Sequence, residues 1–275
     1  MALYDQMAPL LGTVFVLLLW LQWKHPLRRQ YLSTLSRVMR NLIFALPAFL
    51  VLRIALIPIP LAAAVWAQST SIGLLHWLPL SAWFKVLCGI VAMDYAYYWW
   101  HIATHRFELL WRFHNVHHTD LDMDVSTATR FHFGELLLSV VFRVATVLIF
   151  GIAPLALIVF EIVFECAGQF HHSNWRLPLW IENTLNRLIV MPRMHGIHHS
   201  VVRAETDSNW GTIFSLWDKL HCTQRIDIAQ SEITIGVPGY RDEQELSIGD
   251  LWKMPFLPQR EWRMPDGTVP ERDGT

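Results

Sequence analysis

Three histidine clusters constrain this chain more than any other feature. His101 and His105 form H-x-x-x-H, His114, His117 and His118 form H-x-x-H-H, and about eighty residues later His195, His198 and His199 repeat H-x-x-H-H. Imidazoles at i and i+4, or at i, i+3 and i+4, lie on one face of a helix and can converge on a metal. These eight histidines exceed the four ligands of a closed structural zinc site or the three of a catalytic one. The pattern predicts two metal ions, and a fold that brings residues 101–118 and 195–199 to one place.

The rest of the composition points to lipid. Hydrophobic residues make up 53% and charged residues 16% of the chain, with a mean hydropathy of +0.30; a soluble domain carries about 25% charge. The 14 tryptophans suit water–lipid interfaces. A net charge of −1 argues against nucleic acid as a partner. Cys88, Cys166 and Cys222 are widely spaced and give no disulfide framework.

The expected fold is all-α: an integral membrane helical bundle of three full spans plus a helical hairpin, with a histidine-rich cap on the cytoplasmic side. Met7–Trp23 is an uncharged run of 17 residues, long enough to cross and read as a retained span. Lys24, Arg28, Arg29, Arg37 and Arg40 follow without an acidic residue, which places that loop inside by the charge bias of membrane proteins. The second span is Asn41–Ala67, with a kink or early end expected near Pro58. Residues 68–82 make a short outer loop, and Trp83–Trp100 returns to deliver His101. The clusters can share a site only if the apolar run Leu136–Phe170 crosses an even number of times. Its break at Gly151 and Pro154 predicts a hairpin, five crossings in all if both arms span. Arg143 and Glu161 within it are costly in lipid and are expected to face protein or each other. The domains expected are 1–82, N-terminal helices and basic loop; 83–240, the catalytic unit; and 241–275, a C-terminal cytoplasmic tail, with residues 226–275 reading as an extended wrap and then a loose end.

Neutral imidazole suits zinc, iron, copper and nickel, so ligand type alone leaves the metal open. The motifs go further. The order of the three boxes after paired spans resembles the fatty acid hydroxylase/sterol desaturase superfamily, in a form closest to its bacterial members. Asp94 and Tyr98 resemble the lead-in to the first box, and Trp111-Arg112-Phe113 the approach to the second. Arg130-Phe131-His132 with Glu135 resembles R-F-H-P-x-E, with Phe133 where proline is common. His172-Ser173-Asn174 resembles an intermediate H-S-N element, and Pro192-Arg193-Met194 leads into the third box. Asp207-x-Asn209-Trp210-Gly211 with Trp217-Asp218 resembles the element after it. The resemblance covers residues 85 to 240. It implies a multi-pass membrane enzyme, of the bacterial inner membrane with its site on the cytoplasmic face. Such an enzyme is an O2-dependent di-iron oxygenase that hydroxylates or desaturates a lipid such as a fatty acyl chain, sterol or ether lipid. It also implies two Fe ions, for which zinc can substitute, and electrons from a separate ferredoxin, cytochrome or reductase.

The metal ligands expected are His101, His105, His114, His117, His118, His132, His172, His195, His198 and His199. Asp94, Asp207 and Asn209 are expected behind them, a carboxylate or amide orienting an imidazole through its other nitrogen. Arg130 is expected in a buried ion pair with Glu135 or Asp124, and His221 in a structural role. Two other functions fit some of the pattern. A zinc-dependent membrane hydrolase would want a general-base Glu inside a box, as in H-E-x-x-H, and none is there. A metal transporter would place ionisable residues along the spans, whereas these histidines gather at their ends.

Overall fold

A computed structural model describes residues 2–272, with side chains from residue 6 onward; the last three residues of the expected tail lie outside the described residues. The regular elements among them are helices, and no strand occurs beyond isolated bridges such as Ser200–Ile235. In chain order they are α1 (Ala2–Lys24), α2 (Thr34–Phe44), α3 (Leu46–Val51), a π-helical stretch (Leu52–Leu56), α4 (Pro58–Thr70) and α5 (Leu74–Trp77). Then come α6 (Ala82–Arg106), α7 (Glu108–His118), a tight 3-10 turn (Val125–Thr129), α8 (Phe133–Phe150) and α9 (Pro154–His172). The third box and its surroundings form α10 (Leu179–Leu185), α11 (Pro192–His198), α12 (Arg203–Thr206) and α13 (Leu216–Leu220), and the tail forms α14 (Ile248–Lys253).

Among the described residues four stretches are long and apolar enough to cross a membrane: Gln6–Lys24, Thr34–Trp77, Phe133–Phe150 and Pro154–His172. Large apolar side chains such as Val16, Trp20, Val65 and Val141 lie on their outer surfaces, where lipid would cover them. α6, at 25 residues, covers the expected span Trp83–Trp100 but is less apolar than these four stretches and is not among them.

The hairpin expected over 136–170 is present. α8 ends on Gly151, whose φ of 68° is left-handed, and α9 starts with Pro154 in its first turn. These are the stop and start that glycine and proline favour. Gly151 also packs directly on the α4–α5 turn, where an added Cβ would lie 2.7 Å from the Ile72 carbonyl oxygen. With 18 and 19 residues the two arms rise about 27 Å each. The start of α8 therefore lies beside the end of α9, which carries His171 and His172. α9 is central, packed against α1, α4, α6 and α11. Arg143 of α8 and Glu161 of α9 are ion-paired across the hairpin, as their expense in an apolar layer requires. The kink expected near Pro58 is also found: the helix loosens to i→i−5 bonding, with Ile57 N donating to the Leu52 carbonyl, and restarts at Pro58.

Two expectations change. The basic residues after α1 are not simply loop charges. Arg37 sits on the inward face of amphipathic α2 and donates to Asp120 (3.0 Å), Asp124 (2.9 Å) and the Asp122 carbonyl. Burial alone would raise the Asp120 carboxyl, but the Arg37 guanidinium holds it well below the usual carboxylate range. Asn41, one turn on, donates to Asp120 and Ser126. Arg130 joins this network instead of pairing with Glu135 or Asp124; it donates to Asn41 Oδ1, Thr119 Oγ1 and the Val116 carbonyl. The reason is position: the turn at 125–129 directs Arg130 back toward the end of α7, away from α8. The tail, second, is anchored further than a loose end. Leu246, Leu251 and Met254 are buried with Phe44 and Val116, and Arg272 pairs with Glu205 and Glu232.

Candidate metal centre

Helical periodicity sorts the histidines into two groups. His101, His105, His114, His118 and His198 form one, and His117, His172, His195 and His199 the other, each with ligand atoms within 4.8 Å of one another. Residues four apart share a helix face, so His101 with His105, His114 with His118, and His195 with His199 stay together. Adjacent residues diverge by about 100°, so His117–His118 and His198–His199 each straddle both groups. The second and third boxes thus form a shared wall, with the His118 and His199 rings stacked at 4.3 Å. α6 supplies one side of the first group, α9 one side of the second. All nine side chains are buried.

The imidazoles are oriented from outside. His101 Nδ1 donates to the Trp210 carbonyl (2.9 Å), His198 Nδ1 to the Ser208 carbonyl (2.8 Å), His172 Nδ1 to the Gly168 carbonyl (2.7 Å) and His114 Nδ1 to Glu135 Oε1 (2.9 Å). A carbonyl or carboxylate oxygen only accepts, so each of these rings carries its proton on Nδ1 and turns an Nε2 lone pair inward. The inward atoms crowd. His172 Nε2 is 3.0 Å from both His117 Nε2 and His195 Nε2, and His199 Nε2 is 3.2 Å from His195 Nε2. Donors about 2.1 Å from a common ion stand about 3.0–3.4 Å apart, so the spacing fits nitrogens gathered on a cation. In the first group His198 Nε2 and both nitrogens of His105 have no hydrogen-bond partner. Buried polar atoms are seldom left so, and a metal would satisfy them. Burial first, and neighbouring imidazoles second, push His117, His118, His195, His198 and His199 well below the ordinary imidazole range. They are neutral at pH 7, the form that binds metal.

His132 is not brought to either group. It caps α8, its Nδ1 accepting from Gly134 N at 3.0 Å while Nε2 faces the Trp252 carbonyl. Its neighbour three residues on, Glu135, reaches the centre in its place. His171 lies 4.1 Å from the His195 ring yet outside both groups. The carboxylates expected behind the ligands act differently from one another. Asp207 lies 4.0 Å from His105 Nδ1 and is held by Arg203. Asp94 touches no histidine; its two oxygens accept from Thr212 Oγ1, Ile213 N, Phe214 N and Trp217 Nε1. With Asp218, which accepts from Trp210 N and Gly211 N, it fixes the loop whose Trp210 carbonyl orients His101. Asn209, left-handed at φ 56°, ties that loop to α11 by donating to the Met194 carbonyl. Asn174 of the H-S-N element clasps Arg28, accepting from its N and donating to its carbonyl. His221 stacks on Tyr95 and Tyr98, as a structural residue does.

Beside the histidines a mostly apolar cavity opens between α6, α8 and α9, with an empty volume of about 1110 Å3 counted to its open mouth. His101, His114, His117, His172 and His195 form its floor, and Ala48, Phe49 and Leu52 of α3 and the π-helical stretch flank it.

The model of the fatty acid hydroxylase family matches residues 86–223, half of the chain. Ornithine lipid hydroxylase OlsE of Rhizobium tropici is 30% identical over 184 residues, which cover 66% of this chain and 54% of that protein. Alkylglycerol monooxygenase of Homo sapiens is 29% identical over 153 residues (54% and 32%), and cholesterol 25-hydroxylase of Mus musculus 28% over 142 residues (51% and 46%). The chain thus spans about half the length, or less, of these relatives. No solved structure matches.

Proposed function

Since the chain belongs to the fatty acid hydroxylase family, we propose that it is a multi-pass membrane enzyme that hydroxylates an unactivated C–H bond of a lipid with dioxygen. The observation that carries this reading is the pair of adjoining all-imidazole groups at the floor of an apolar cavity. His101, His105, His114, His118 and His198 would hold one iron, and His117, His172, His195 and His199 the other. Two irons supply the activation of dioxygen that C–H oxidation needs. The balance is one C–H bond and one O2 converted to C–OH and water, with two electrons and two protons from outside. A separate ferredoxin, cytochrome or reductase delivers the electrons.

The residues divide the remaining work. Glu135 and the Trp210, Ser208 and Gly168 carbonyls keep their imidazoles in the Nδ1–H tautomer and so aim neutral lone pairs at the ions. The cavity walls, Phe131, Leu136 and Phe164 among them, exclude water from the reacting carbon. The four apolar stretches let a lipid chain enter sideways from the bilayer, with the metal site on the cytoplasmic face of a bacterial inner membrane. Hydroxylation is favoured over desaturation because the relatives' names are those of hydroxylases and monooxygenases. A zinc hydrolase is disfavoured because both groups consist of histidine alone.

Metal analysis after anaerobic purification tests the assignment. About two irons per chain are expected, falling in His117→Ala. Tightly held zinc alone, with no iron-dependent activity on any lipid, would overturn it.

A further inference from the structure

The cavity also runs away from the histidines along α8 and α9, where Tyr97 of α6, Arg143 of α8 and Glu165 of α9 line it. Tyr97 and Arg143 are buried, and neither the phenolic oxygen nor the guanidinium Nε has a hydrogen-bond partner. Arg143 Nη1 is occupied by Glu161, and its guanidinium lies 4.8 Å over the Tyr97 ring. That leaves Nε and the phenol without partners on two side chains that line the cavity together with Glu165. Buried polar groups are rarely left without partners, and two such atoms beside a third polar group mark a place for a ligand.

Helix geometry sets the distance from this place to the metal centre. Glu161, Glu165, Gly168 and His172 fall at i, i+4, i+7 and i+11, one stripe along α9. Glu165 and His172 are seven residues apart, about 10.5 Å along the axis. On α8, Glu135, Ser139 and Arg143 form the matching stripe. Between the two ends the wall is cut away at Gly168, where an added Cβ would meet nothing within 4 Å. A chain can run through that notch.

We propose that Tyr97, Arg143 and Glu165 form an anchoring subsite for a neutral hydroxyl group on the lipid, and that this anchor selects which carbon lies over the histidines. The choice of a hydroxyl follows from donor and acceptor counting. The Glu165 carboxyl keeps an acceptor oxygen whether or not it carries a proton, Arg143 Nε only donates, and the Tyr97 phenol does either. A hydroxyl donates to the first and accepts from the second. A carboxylate would compete with Glu161 for the one guanidinium. An ammonium offers Arg143 no acceptor, and a bare hydrocarbon leaves all three groups unsatisfied. The subsite deepens the hydroxylase reading, since the occupant is taken to be its substrate.

The test is binding of hexadecanol, hexadecane and palmitate to the full-length protein in dodecylmaltoside micelles, followed by thermal shift. Hexadecanol is expected to bind about tenfold more tightly than the other two, the worth of one net buried hydrogen bond. Glu165→Leu and Tyr97→Phe should each cut the preference over hexadecane severalfold without weakening hexadecane itself, and Gly168→Phe should weaken all the chains. Equal binding of hexadecanol and hexadecane to the wild type would overturn the proposal, as would a preference that survives in both variants. Tyr97→Phe removes a single oxygen and carries the test alone if Glu165→Leu does not fold. Because binding needs no turnover, alcohol selectivity in the micelles with no oxidised lipid in cells that express the protein would remove the oxygenase reading and leave the subsite. Oxidised product without selectivity would do the reverse.

Discussion

At the scale of single residues, the metal centre depends on how each neutral imidazole is held. Glu135 fixes the His114 tautomer through a 2.9 Å bond to Nδ1, and such partners typically change metal affinity 10- to 100-fold, as an order of magnitude. Glu135→Ala is therefore expected to weaken metal retention by about that factor, while Glu135→Gln, which keeps an acceptor oxygen, should lose much less; competition with a chelator measures both. The depressed histidines give a pH dependence with a definite sign. Their folded-state values lie below the ordinary 6.5, so the unfolded chain takes up more protons as the medium becomes acid. Their contribution to stability is intact above that value and is lost as pH falls below it. Metal binding competes with the same protons. Metal content and the thermal midpoint of the metal-free protein should both fall between pH 7 and 5, and a midpoint flat across that range would contradict the burial of neutral imidazoles.

At the scale of elements, the sequence showed which segments meet but not how they are braced. The i, i+3, i+4 spacings, the Gly151–Pro154 break and the parity of the hairpin all pointed to α6, α7, α9 and α11 meeting at one end, and they do. The orienting partners were mostly invisible for a physical reason: three of the four are backbone carbonyls, which every residue has. Glu135 was expected beside Arg130, because sequence proximity does not reveal that α8 turns it toward α7. The α2 network of Arg37, Asn41 and Arg130 was likewise hidden, since long-range pairing leaves no local pattern. Asp94 shows what such bracing does. It accepts four hydrogen bonds from the 212–217 segment, and losing it would leave buried donors unpaired at about 1–3 kcal/mol each. Asp94→Ala should lower the thermal midpoint and loosen His101 through the Trp210 carbonyl. The measurements are thermal unfolding in detergent and metal content, and a variant with wild-type values for both would show the loop is held by other contacts.

At the scale of the whole molecule, the polar and apolar halves are arranged around one seam. Apolar helices carry an open cavity down to the histidines, while buried ion pairs and the anchored tail hold the loops over the other side. That arrangement fits the proposed lipid oxygenase, whose substrate chain would arrive from the bilayer and its electrons from water. The most direct measurement is growth of cells expressing the protein under oxygen-18 gas, followed by mass spectrometry of their lipids. One labelled oxygen atom in a new hydroxyl group is expected with the wild type and absent with His117→Ala. A hydroxyl labelled from water instead of the gas, or one that persists in His117→Ala, would contradict the account.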